Sequence, residues 1–173
     1  MMTLITGGSK CGKSSLAERI LGSFPGRKIY IATMQPFGED ALEAIDRHRK
    51  MREGKDFETV ERYTDVGGIS LPDGCAVLLE CMGNLCANEM FSAEETVDPE
   101  DRILGGIKRL SEAAEELVIV TNQVGSDGIA YPGGTSDYIR VLGRINAGIA
   151  QLADNVIECV YGIPVVLKGE NPC

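Results

Sequence analysis

MTLITGGSKCGKSSLAERILG, residues 2–22, holds three structural signals in order. MTLIT is short, apolar and β-branched, which predicts a buried strand. KSSLAERILG predicts a helix, and the glycine-rich segment between them predicts a tight turn. Within it, Gly7, Gly12, Lys13 and Ser14 fit the pattern G-x-x-x-x-G-K-[ST], with the strand before and the helix after that the pattern requires. The chemistry explains the spacing. Glycines let the backbone N–H groups of Gly7, Gly8, Ser9, Lys10, Cys11 and Gly12 turn inward around phosphates, and the helix N-terminus adds its positive end. Lys13 is expected to reach the terminal phosphates, and the Ser14 hydroxyl is the expected ligand of Mg2+. The segment therefore predicts a bound nucleoside triphosphate, without saying what is done with it.

Outward from that turn, strands and helices alternate. KIYIAT predicts a strand ending at Thr33, and EDALEAIDRHRKMRE a helix. FETVE and AVLLE predict two more strands, the second apolar throughout and ending in Glu80. A helix is expected through NLCANEMF. Another runs from Pro99 to Glu116, with Ile103, Ile107, Leu110 and Ala114 on one face, although Gly105 and Gly106 weaken it. LVIVT predicts a strand, GSDGIAYPGGTSD a loop, and the next helix an apolar face of Ile139, Leu142, Ile145, Ile149 and Leu152. NVIECVYGIPVVLK reads as two strands around Gly162. Such alternation predicts a mainly parallel α/β sheet with helices on both faces.

A chain of 173 residues is the length of one ordinary domain, so residues 1–173 are expected to form a single nucleotide-binding unit. The net charge of -9 argues against a nucleic-acid partner, whose backbone is held mainly by Lys and Arg. No apolar run approaches the roughly 18 residues of a spanning helix, and no export signal is visible, so a cytoplasmic location is expected. Six cysteines without a CxxC pair or a zinc spacing are expected to be mostly free and buried.

Glu80, at the end of its strand, suits a carboxylate that orients Mg2+, a water or a substrate hydroxyl. Glu61 ends FETVE in a similar but weaker way. TNQVG lies where some GTPases read guanine through N-K-x-D, but lacks the lysine and the aspartate, which argues against a switch GTPase. The chain has one histidine, His48. Its neighbours Arg47, Arg49, Lys50 and Arg52 need carboxylates or phosphates to neutralise them, and crowding by cations favours the neutral imidazole that a nucleophile needs.

Taken together, ITGGSKCGKSSLAE, YIAT, RHRKMR followed by FETVE, VLLEC, VTNQVG, GRIN, LAD and YGIPVVLK resemble the bifunctional adenosylcobinamide kinase / adenosylcobinamide-phosphate guanylyltransferases of cobalamin biosynthesis, almost end to end. The resemblance implies a RecA-like P-loop NTPase fold. It implies phosphorylation of the aminopropanol hydroxyl of adenosylcobinamide by a nucleoside triphosphate, then transfer of GMP from GTP onto that phosphate through a GMP-histidine intermediate at His48. It places nucleotide contacts on Gly7 to Ser14, on Ala32, Thr33 and Met34, on Arg49, Lys50, Met51 and Arg52, and on Glu61 and Glu80. ATP, GTP and Mg2+ are the implied small molecules, a corrinoid the implied substrate, and a homo-oligomer, with a trimer as one form, the implied assembly. The chain departs from the family pattern at Phe57, Gln123, GIAYPGG, Arg140 and Ala147. Two other readings of the same residues are a small-molecule P-loop kinase without guanylyl transfer and a non-enzymatic, nucleotide-gated partner protein.

Overall fold

The computed structural model describes residues 1–92 and 96–170; Cys173, one of the six cysteines, lies outside them. Among the described residues seven strands form one sheet: β1 (Met2–Thr6), β2 (Arg27–Ala32), β3 (Phe57–Glu61), β4 (Cys75–Glu80), β5 (Glu116–Val120), β6 (Asn155–Val160) and β7 (Ile163–Lys168). Their order is β3-β2-β4-β5-β1-β6-β7. All neighbours are parallel except β6 and β7, which pair antiparallel. Tyr161 and Gly162 join that hairpin at φ 50° and 81°. Two successive positive φ values make a tight turn whose twist matches the strands it connects.

Helices cover both faces, as the alternating pattern predicts. On one side, α1 (Lys13–Gly22) buries Leu16, Ala17, Ile20 and Leu21 against Ile5, Tyr30, Leu78 and Val118. On the other, α3 (Met82–Phe91), α4 (Glu100–Ala113) and α5 (Gly134–Leu152) pack on Leu4, Ile31, Leu79 and Ile119. Because β4 is covered on both faces, all six of its residues are buried, which explains its continuous apolar run. The remaining helix, α2 (Glu39–Arg52), has no fully buried apolar residue among those described.

Several expectations change. α4 ends at Ala113 rather than Glu116, which opens β5, and β5 ends at Val120 rather than Thr121. Leu152 is 48% exposed and Ile139 only half-buried, while Val141 joins Leu142, Ile145 and Ile149 in the core. Leu152 is the last residue of α5, and the chain leaves the helix at Ala153. β2 stops at Ala32 rather than Thr33, because the Thr33 hydroxyl and N–H turn to the end of β4. Gly105 and Gly106 do not break α4. A Cβ on Gly67, in the 3-10 turn at Val66–Gly68, would lie 2.6 Å from the Gly106 Cα, so the glycines permit a close backbone crossing.

Leu79 is fully buried in the middle of this core. Leu79→Ala is expected to lower unfolding free energy by about 2–5 kcal/mol, read as a lower urea midpoint. An unchanged midpoint would misplace the core.

Candidate active site

The carboxyl ends of the parallel strands bring the sequence-separated candidates to one edge of the sheet, where ligands of open α/β folds bind. Gly7 to Gly12 follow β1, Thr33 and Met34 follow β2, Glu61 ends β3, Glu80 ends β4, and Asn122 follows β5. β5 lies between the cradle strand and the strand carrying Glu80.

The turn after β1 needs its glycines. Gly7 has φ 145°, and a Cβ there would stand 2.6 Å from the Cys159 carbonyl oxygen; Gly12, the N-cap of α1, has φ 100°. Lys13 is 6% exposed. Its Nζ folds back over the loop, donating to Gly7 O at 3.0 Å and to Gly8 O. The ammonium is thus held over the backbone of the loop whose pattern fits a phosphate clamp. The Ser14 hydroxyl donates to Glu80 Oε1.

Glu80 is 5% exposed and links three parts of the site. Besides Ser14, its Oε1 lies 3.5 Å from His48 Nδ1, while Oε2 is buried without a hydrogen-bond partner among the described residues. An orphaned carboxylate oxygen beside the Ser14 hydroxyl is a donor set suited to a hard divalent cation such as Mg2+. Cys81, which follows, has φ 99°, a strained value for a residue with a side chain. The Thr33 hydroxyl fixes that junction by donating to Glu80 O at 2.7 Å and Cys81 O at 3.0 Å. Asn88 then donates to Thr33 O and Tyr63 O, tying α3 to the same corner.

α2 carries His48 over this edge. Its Nδ1 lies 3.2 Å from the Tyr30 hydroxyl as well as near Glu80. Burial, then the negative charge of Glu80, hold Tyr30 far above the ordinary phenol range, so its hydroxyl stays neutral. With Nδ1 occupied, Nε2 is left without a hydrogen-bond partner among the described residues. Arg52 is 8% exposed and lies over Tyr30, its Cζ 3.4 Å from the ring centroid, with Nη1 buried and without a hydrogen-bond partner among the described residues. A desolvated guanidinium edge of this kind suits a phosphate or a nucleobase acceptor.

His48 lines two adjoining hollows. One is a cleft of about 580 Å3 over the cradle, bounded by Lys13, Ser14, Met51, Glu80 and Asn122. The other is a more apolar recess bounded by Ala32, Thr33, Met34, Arg49, Arg52 and Glu61. Arg49 reaches Glu61 across its mouth at 3.3 Å. Lys50 is not brought to either: it is 68% exposed, pairs with Asp46 at 2.7 Å and sits on the outer face of α2. Its position two residues after His48 puts it on another side of the helix. Among the departures, Gln123 donates to Glu158 at 2.8 Å, and Arg140 pairs with Asp137 at the surface.

Sequence reasoning did not assign Tyr30, Asn88 or Asn122 to the site. Tyr30 stands in the quoted YIAT, and a tyrosine amid a buried strand was the available signal.

A glycine-lined phosphate cradle on a parallel sheet covered on both faces defines a P-loop nucleotide-binding protein. The sequence signature of the family described as cobinamide kinase / cobinamide phosphate guanyltransferase matches residues 3–167. Proteins named bifunctional adenosylcobalamin biosynthesis protein CobU, from Escherichia coli and Salmonella typhimurium, are each 33% identical over 97% of this chain and the whole of theirs. The bifunctional adenosylcobalamin biosynthesis protein CobP of Pseudomonas aeruginosa is 27% identical over 98% of this chain and 99% of its own. The chain belongs to the cobinamide kinase / cobinamide phosphate guanyltransferase family and is a transferase. Among solved structures, the P4 protein from bacteriophage phi6 in complex with ADP aligns with a TM-score of 0.45 and 14% identity, over 94% of this chain and 52% of that one.

Proposed function

We propose that this chain phosphorylates the aminopropanol hydroxyl of adenosylcobinamide with a nucleoside triphosphate, ATP or GTP, and then transfers GMP from GTP to adenosylcobinamide phosphate. The observation that carries this reading is the contact chain Ser14–Glu80–His48, which brings the single imidazole to the phosphate cradle. A kinase alone has no need of it.

The cradle from Gly7 to Ser14 and Lys13 hold the triphosphate; Ala32 to Met34, Arg49, Arg52 and Glu61 border the recess beside it. Ser14 and Glu80 would hold Mg2+, which when bound neutralises phosphate charge. In the first reaction the substrate hydroxyl attacks the γ-phosphorus and loses its proton to water in the open cleft, the bond to the β-phosphate oxygen breaks, and the nucleoside diphosphate leaves. In the second, His48 Nε2 attacks the α-phosphorus of GTP. A P–N bond forms, the bond to pyrophosphate breaks, and Nδ1, held by Tyr30 and Glu80, keeps its proton. A phosphate oxygen of adenosylcobinamide phosphate then displaces the imidazole, giving adenosylcobinamide-GDP and free His48. Two in-line displacements at one phosphorus divide a difficult transfer into easier steps.

Incubation with GTP labelled at the α-phosphate and Mg2+ is expected to leave acid-labile label on the protein, which adenosylcobinamide phosphate removes as adenosylcobinamide-GDP. Turnover of adenosylcobinamide without any labelled protein would favour a kinase lacking the second step. Tyr30→Phe removes the hydroxyl beside Nδ1 and is expected to lower kcat for guanylyl transfer about tenfold, the worth of one such hydrogen bond, with KM for GTP unchanged. An unchanged kcat would leave Glu80 alone to orient the ring.

A homo-oligomer remains the proposed assembly. The edge strand β7 exposes Ile163 by 65% and Leu167 by 59%, an apolar margin that a second copy would cover. Sedimentation equilibrium reads it. Among the described residues no helix is long and apolar enough to cross a membrane, and cytoplasm is the proposed location.

A further inference from the structure

We propose that Cys11, in the phosphate cradle, and Cys159, on β6, form an oxidation site whose disulfide weakens nucleotide binding. The inference rests on the reading of Gly7 to Ser14 as the triphosphate cradle. Two hydrogen bonds and the space around two glycines place Cys159 Sγ against the backbone of Cys11. Cys159 Sγ donates to Cys11 O at 3.2 Å, and Gly162 N donates to the same oxygen at 2.8 Å. A Cβ built on Gly7 would lie 2.9 Å from Cys11 Sγ and 2.6 Å from Cys159 O, and one on Gly12 would lie 3.8 Å from Cys159 Sγ. Both sulfurs therefore flank the Gly7–Gly12 turn. Neither takes part in the proposed transfer chemistry.

The two thiols differ in access. Cys11 is partly exposed, and Lys13 Nζ lies 3.8 Å from its sulfur, whereas Cys159 is 1% exposed. Burial, then the adjacent Cys11 thiol, hold the Cys159 thiol above its ordinary range. An accessible thiol next to a buried one is the arrangement in which the first is oxidised and the second resolves it. With hydrogen peroxide as oxidant, the Cys11 sulfur attacks one oxygen, the O–O bond breaks, and a sulfenic acid and one water form. The Cys159 sulfur then attacks the Cys11 sulfur, the S–O bond breaks, and a second water leaves with the Cys159 proton. Two thiols and one peroxide thus give one disulfide and two waters.

The bond would tie the cradle to β6 through the side chain of Cys11 and draw that sulfur from Lys13. Phosphate binding depends on backbone N–H groups and an ammonium aimed at common points, so a shift of a fraction of an ångström is costly. Mg-ATP affinity of the cross-linked protein is expected to fall at least about tenfold and to recover with dithiothreitol. By linkage, saturating Mg-ATP then raises the midpoint potential of the pair, read in glutathione buffers, by about 30 mV per tenfold of affinity.

The test treats the full chain with hydrogen peroxide, blocks remaining thiols with iodoacetamide, maps linked peptides by mass, and measures Mg-ATP binding before and after. A Cys11–Cys159 peptide two hydrogens lighter, with the affinity loss, supports the proposal. Cys159→Ala is expected to fold, to give no linked peptide, and to keep its affinity within about threefold under peroxide; Cys159→Ser serves if the alanine variant does not fold. Absence of the linked peptide, a cross-link without loss of affinity, or an equal loss in Cys159→Ala would overturn it. Reduced protein that fails to bind Mg-ATP would instead reject the cradle reading.

Discussion

His48→Ala is expected to abolish guanylyl transfer, by about 10^4-fold or more, because a covalent route loses its nucleophile and no second imidazole exists to replace it. Label from α-labelled GTP should vanish from the protein at the same time. Phosphorylation of adenosylcobinamide should survive within about threefold, since that step needs the cradle and not the ring. The split is the informative part. His48 touches Tyr30 and Glu80, so a merely structural loss would depress both reactions together. Label retained in the alanine variant would place the nucleophile elsewhere.

Lys13→Ala is expected to weaken triphosphate binding about a hundredfold and to slow both reactions. A charge-assisted bond to phosphate in a partly desolvated site contributes a few kcal/mol, more than a surface ion pair does. The burial of Lys13 adds to this, because its ammonium also bridges Gly7 O and Gly8 O and holds the loop in shape. Lys13→Arg should not restore binding, since a planar guanidinium cannot fit where a compact ammonium meets two carbonyls. Equilibrium binding of a fluorescent nucleotide, with circular dichroism to verify folding, decides the matter. Unchanged affinity would mean the triphosphate lies elsewhere.

Much of this is legible in the sequence. GGSKCGKSS specifies its own conformation, because the pattern is local: glycines at positive φ, a lysine at the first turn and a helix that must follow. The apolar run ending in Glu80 likewise announced a strand buried on both faces, and the scarcity of histidine singled out His48. The face of α5 was misjudged at Leu152 because periodicity does not say where a helix outruns the sheet beneath it. The resemblance implied Lys50 together with Arg49 and Arg52, whereas the helix turns Lys50 to another side, where it pairs with Asp46.

The sequence by itself determined the local devices of this protein: the cradle, the buried strands and the family to which their order belongs. Only the tertiary structure decided which of them meet. Strand order, not chain order, sets Glu80 between Ser14 and His48, lays Arg52 on Tyr30, and puts Cys159 beside Cys11 across more than a hundred residues of chain. Contacts of that separation depend on how parallel strands cross over and pack, and no local spacing encodes them.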